Sequence, residues 1–375
     1  MYSEISFTML TASLLHFTFY LYLFSFVAYV AVLVSKKNFY TILATTFTIV
    51  AFTLHSLDLL FRWFAIGIDH PHLDNTYETI SFFIWSIVLV HLLLIKRHKI
   101  HLNGILVMTI VTIGMGLAAL HPASQSHWLH SHVLHIFMSG ISYACSFIAA
   151  SFAFLLIIKT QKIFPIISLA LDSFSFLCLT LALSYIISSS ATIDIWSYGI
   201  LVVLYVTTLS LHIADIISKK SLNSKIAQIF SLSTFAIYSS WMILLLMSYL
   251  GIGENFPSIS PYKLGLAVFG LLISLIHHLI VFRYERFIEM LPPENTLDRL
   301  SYNSILVSFS LLSLILVIVT ASTWKWDAKE HWSLITWLIY AIYLYLRLQN
   351  GWRGQRLAII ALLGFFSVIF TCIGK

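Results

Sequence analysis

The sequence predicts an all-α protein, a polytopic transmembrane helical bundle of about twelve spans with its N-terminus outside. Three observations carry that reading. The 375 residues are 59% hydrophobic and only 10% charged, with 29 phenylalanines and seven prolines, a composition typical of membrane helices. Apolar runs near the ~20 residues that cross hydrocarbon as a helix recur along the whole chain. Lysine and arginine recur in every second connection between those runs.

In order, the runs fall at roughly 8–35, 40–66, 79–95, 103–120, 132–158, 166–188, 196–218, 226–250, 262–282, 303–321, 332–347 and 357–373. The first lacks a basic leader and a small-residue cleavage site, so it is expected to stay as a helix. The inner connections then hold Lys36, Lys37, Lys96, Arg97, Lys99, Lys159, Lys162, Lys219, Lys220, Lys225, Arg283, Arg286, Arg299, Arg347, Arg353 and Arg356. These are 16 of the 21 basic residues; Arg62, Lys263, Lys325, Lys329 and Lys375 remain outside. Such alternation follows the positive-inside rule. The net charge of +6 therefore reflects topology; the lipid bilayer is the expected partner, and nucleic acid is not. Cys145, Cys178 and Cys372 lie within or at the end of apolar runs with no CxxC pair, which reads as small buried residues.

The 16 histidines are unevenly placed. His70, His72, His121, His127, His130, His132 and His331 fall in outer connections or at outer helix ends, the densest run being "HPASQSHWLHSHVLH" at 121–135. His132 and His135 share a helix face. His16, His55, His91, His212, His277 and His278 fall inside spans, where ionisable groups mark a pathway or site. His91, His212 and the His277–His278 pair lie near inner ends, at depths where they can converge. Each histidine carries two readings, a ligand to iron or another metal and a satisfied hydrogen-bonding group.

"WKWDAKEHW", residues 324–332, is the most polar and aromatic stretch, and the topology puts it outside. Trp324, Trp326 and Trp332 offer stacking area and N–H donors. Lys325 and Lys329 can pair with carboxylates. Asp327 and Glu330 can hold the lysines or sit favourably at a helix N-terminus. The segment suits something flat, apolar and anionic; an interfacial aromatic belt is the other reading.

These residues bring a family into view. The segment 297–374, with Trp324, Trp326, Asp327, Lys329, Glu330 and Trp332 in place, resembles the CcsA/ResC family of system II cytochrome c biogenesis. "FRWFAIGIDHPHLDNTYETISFFIW" (61–85) and "HPASQSHWLHSHV" (121–133) are similar to two further blocks of that family, in the same order. The resemblance implies an integral protein of the cytoplasmic (inner) membrane whose site faces the periplasm or exterior. It implies haem b as transported or presented ligand, apocytochrome c as partner, and a CcsB/ResB-like membrane partner. It places His132 as axial ligand to the haem iron and the tryptophan motif as its platform. His331 is the candidate for a second outer ligand. If there is enzymatic activity, the chain belongs to a haem lyase (synthetase) complex; the alternative is a non-catalytic haem sensor, regulator or assembly subunit.

Ala328 stands where the family usually has proline, Lys325 where a small residue is usual, and Tyr345 where the family has an intramembrane histidine. His212 or His277 and His278 are the candidates to take that histidine's place. Three blocks are expected: residues 1–165 with five spans and the histidine-rich loop, 166–290 with four spans, and 291–375 with the tryptophan motif. "LDSFSF" (171–176) and "LDRLSY" (297–302) raise the reading that the middle block is a decayed copy of the last.

Overall fold

The computed structural model describes residues 2–35, 38–66, 76–98, 103–120, 133–161, 284–322 and 328–373, with scattered positions between 203 and 275. Among the described residues the elements are α1 (Tyr2–Val34), α2 (Asn38–Ile66), α3 (Thr76–His98), α4 (Asn103–Leu120), α5 (Val133–Gln161), α6 (Tyr284–Met290), α7 (Glu294–Ser322), α8 (Ala328–Leu348) and α9 (Gln355–Ile373). All are helical, as a hydrocarbon solvent demands of backbone that must satisfy its own hydrogen bonds. The protein is thus a helical membrane bundle.

Among the described residues, four stretches are long and apolar enough to cross a membrane: Asn38–Phe61, Ile80–Arg97, Phe137–Thr160 and Glu294–Ile318. Phe17–Val32, Asn103–Gly116 and Gln355–Thr371 are shorter apolar helices. The runs expected at 166–188, 196–218, 226–250 and 262–282 lie outside the described residues except for scattered positions.

By contact, Met1–Thr160 and Met290–Lys375 form one compact unit and Gln161–Glu289 a second. In the second unit the described positions are helical, with Thr207 and Ser240 hydroxyls donating to the carbonyls of Val203 and Ala236 one turn back. The first unit shows how its helices pack. Ser142 and Ser308 exchange side chain-to-carbonyl bonds of 2.9 Å in both directions, Ser146 Oγ lies 2.9 Å from Ser308 Oγ, and Ser301 Oγ donates to the Ala149 carbonyl at 3.0 Å. The pairs 142–308 and 149–301 run in opposite senses, so α5 and α7 are antiparallel. Small hydroxyl residues let two membrane helices approach closely and bond across the seam. Lys159 Nζ, in the last turn of α5, donates to the carbonyls of Leu291 and Pro292 before α7.

The α8–α9 turn follows from its glycines. Gly351 and Gly354 have φ of 64° and 70°, a left-handed conformation that side chains disfavour. The Trp352 N–H returns to the Leu346 carbonyl at 3.2 Å, a closure one residue wider than the six-to-one bond of a Schellman helix end. Asp298 of α7 fastens the turn: its Oδ1 accepts from the Gly354 N–H at 2.9 Å and its Oδ2 from Arg347 Nη2 at 2.8 Å. The Arg347 guanidinium also lies 4.3 Å over the Tyr302 ring.

Candidate functional site

The described end of the tryptophan motif begins α8. Glu330 lies in the first helical turn, where a carboxylate is favoured by the N-terminal end of the helix dipole. His331 is exposed and Glu330 half-buried. Trp332, about 100° further round the helix, turns onto α9, where its ring stacks on Phe370 at 4.7 Å and 23°. One face of that indole is therefore engaged within the bundle.

A single seam sets this position. Thr336, one turn beyond Trp332, lies 2.7 Å from Ser367 Oγ. Tyr340, one turn further, covers Gly364, where a Cβ would collide with its ring. Residues 332, 336 and 340 thus meet 370, 367 and 364, an i, i+4 row on α8 against an i, i+3 row on α9, with the two helices antiparallel. The Tyr340 hydroxyl donates to Ser146 Oγ at 2.8 Å, tying α8 to the serine seam. On its other side α8 meets α7: Trp337 donates to Ser313 Oγ at 2.8 Å and stacks on Phe309 at 5.6 Å. The start of α8 is thus held from two directions.

The sequence points to Trp332 but gives no sign of Phe370, Ser367 or Gly364 as its support. The only hint is the four-residue spacing of Trp332, Thr336 and Tyr340. Trp324, Trp326, Asp327, His132, His212, His277 and His278 lie outside the described residues, and Lys329 lies in the first turn of α8. Tyr345 is 61% exposed on α8.

Two intramembrane histidines are described in detail. His55 and His91 are fully buried. His55 lies with Nδ1 3.2 Å from the Tyr22 hydroxyl and Nε2 2.8 Å from Ser81 Oγ. His91 Nε2 lies 3.5 Å from the Tyr29 hydroxyl. The tyrosine partners are invisible to a search for histidines alone; their seven-residue spacing on one face of α1 is the signal.

Helices of membrane-spanning length define the class: an integral membrane protein. The family model described as "Cytochrome C assembly protein" matches residues 167–374, more than half of the chain, and the chain belongs to that family. The match runs through the 166–290 segment as well as the C-terminal one. A "Cytochrome c biogenesis protein CcsA" of Marchantia polymorpha is 27% identical over 335 residues, covering 84% of this chain and 78% of that protein. A protein of the same name from Prochlorococcus marinus is 47% identical over 85 residues, 21% of this chain and 27% of its own length. Another, from Chlamydomonas reinhardtii, is 41% identical over 99 residues, 24% of this chain and 26% of its own. No solved structure matches.

Proposed function

We propose that this protein handles haem in the maturation of c-type cytochromes. It moves or presents haem b at the outer face of the cytoplasmic membrane, for covalent attachment to a CxxCH apocytochrome c. A CcsB/ResB-like membrane protein is its partner. The observation that carries this reading is the family match over residues 167–374, which contains the tryptophan motif and the helices that hold it.

Haem is a flat apolar ring with two propionates. Trp324 and Trp326 supply faces for it, Lys329 meets a propionate, and Asp327 and Glu330 hold the lysine. Trp332, with one face on Phe370, anchors the platform and leaves its other side for the cargo. His132 binds the iron, and His331, exposed at the start of α8, is the second outer ligand. Tyr345 points out of the described bundle, so the inner ligand is assigned to His212 or to His277 and His278. The chain's contribution is positioning, which brings haem vinyls and apocytochrome thiols into reach. The segment 166–290 is a further four-span block.

Absorption spectroscopy of the purified protein tests the assignment. Wild type is expected to carry haem with a bis-histidine spectrum, and His132→Ala to lose it and regain it with added imidazole. His132→Ala with an unchanged spectrum and unchanged cytochrome maturation would overturn the outer site.

A further inference from the structure

We propose that α1, α2, α3 and α4 enclose a proton relay, with His55 and His91 as its titratable stations and internal water completing the path between side chains. This is independent of the haem reading above.

The relay follows one face of α1. Thr18, Tyr22, Ser25 and Tyr29 are all buried, and their 4-3-4 spacing puts them on one helical stripe. The stripe is about 16 Å long at 1.5 Å per residue, roughly half the hydrocarbon thickness. Toward the N-terminus of α1, Tyr22 reaches His55 Nδ1 at 3.2 Å, and His55 Nε2 reaches Ser81 Oγ at 2.8 Å. One turn along, Ser25 Oγ lies 2.7 Å from Thr48 Oγ1. The Tyr29 hydroxyl, one turn beyond Ser25 on α1, lies 3.5 Å from His91 Nε2. Asp58, one turn from His55 on α2, is buried and adds a carboxylate at that end.

Two observations separate this seam from ordinary packing. Among the described residues the α5–α7 seam is bridged by Ser142, Ser146, Ser301 and Ser308, with Lys159 at its end, whereas this one contains His55, His91 and Asp58, all buried. Ionisable side chains in apolar spans are costly and recur along ion and proton paths. The second observation concerns orphaned polar atoms. Among the described residues, five buried side-chain atoms have no hydrogen-bond partner, and four belong to Thr18, Thr112 and Asn103. Thr18 is on the stripe itself. Gly104 lies against Tyr29, and a Cβ added to Gly116 would lie 3.6 Å from Phe19, so α4 runs antiparallel to α1. That register sets Asn103 at the level of Tyr29 and Thr112 near Tyr22. A buried polar group without a partner costs about 1–3 kcal/mol, and internal water removes that cost where polar groups cluster. The orphaned atoms therefore mark water positions at both ends of the stripe.

The transfer balances. A proton arriving from the Ser81 side forms a bond to Nε2 of neutral His55, while the proton on Nδ1 leaves for the Tyr22 oxygen. Tyr22 releases its own hydroxyl proton to the next water or hydroxyl. One N–H or O–H bond forms for each that breaks, and no electron moves. Rotation of the hydroxyls and of the imidazole resets the path.

The test uses the purified full-length protein in sealed phosphatidylcholine vesicles holding a pH-sensitive dye, with a potassium–valinomycin diffusion potential as driving force. Wild type is expected to acidify the lumen faster than protein-free vesicles do. His55→Gln and His91→Gln keep hydrogen bonding but cannot be protonated at neutral pH, and should lose the protein-dependent flux. Tyr22→Phe keeps the ring and breaks the chain, and should lose it too; Ser308→Ala, in the other seam, should keep it. Wild-type flux no greater than that of protein-free vesicles would overturn the relay whatever the variants do. So would full flux in His55→Gln or Tyr22→Phe with an unaltered melting transition.

Discussion

At Gly364 the packing of α8 on α9 turns on the absence of one methyl group. A Cβ there would strike the Tyr340 ring, which is fully buried and pinned by its bond to Ser146. Gly116, by contrast, has only Phe19 near it, at an ordinary 3.6 Å. Alanine gains up to about 1 kcal/mol over glycine in a helix interior, whereas overpacking a filled core costs about 1–3 kcal/mol. Gly364→Ala should therefore lower the thermal unfolding midpoint in detergent, and Gly116→Ala should hold or raise it. A shift of the same sign in both would contradict this packing. Neither outcome is legible in the sequence, where both are single glycines in apolar runs. The same holds for the tyrosines of α8: Tyr340 and Tyr343 are buried and Tyr345 is exposed, a difference set by helix rotation that composition does not encode.

At the scale of elements, apolar runs locate helices well and their polar ends poorly. The run expected at 303–321 is the apolar part of α7, which begins at Glu294. Its first turns are polar yet helical, because Asp298 has Arg347 and the Gly354 N–H to bind, contacts 49 and 56 residues away in the chain. Removing one partner of a largely buried ion pair costs roughly 3 kcal/mol. Asp298→Ala should destabilise by about that much. Asp298→Asn, which keeps an acceptor for Gly354, should cost visibly less. Equal losses in chemical or thermal unfolding would mean that the Gly354 bond contributes nothing. The start of α8 shows the opposite case. Asp327 and Glu330 read from sequence as acids before a helix, and Glu330 does occupy its first turn.

For the molecule as a whole, the alternation of basic connections and apolar runs was enough to read a helical membrane bundle. The family was legible because its motif lies in one short stretch, 324–332, that hydrocarbon cannot accommodate. The partners of that stretch were not, since Phe370 and Ser367 approach Trp332 and Thr336 only through the antiparallel docking of α8 and α9. Nor were Tyr22 and Tyr29 as partners of His55 and His91, because pairing across helices depends on rotation and depth together. The central claim is that this bundle delivers haem for covalent attachment. Its most direct test is haem staining of a CxxCH reporter cytochrome after denaturing electrophoresis, in cells deleted for their own attachment genes. With this chain and a CcsB/ResB-like partner supplied, stain should appear at the reporter band, and His132→Ala or Trp326→Ala should diminish it. Reporter haem of equal intensity when this chain is omitted would contradict the claim.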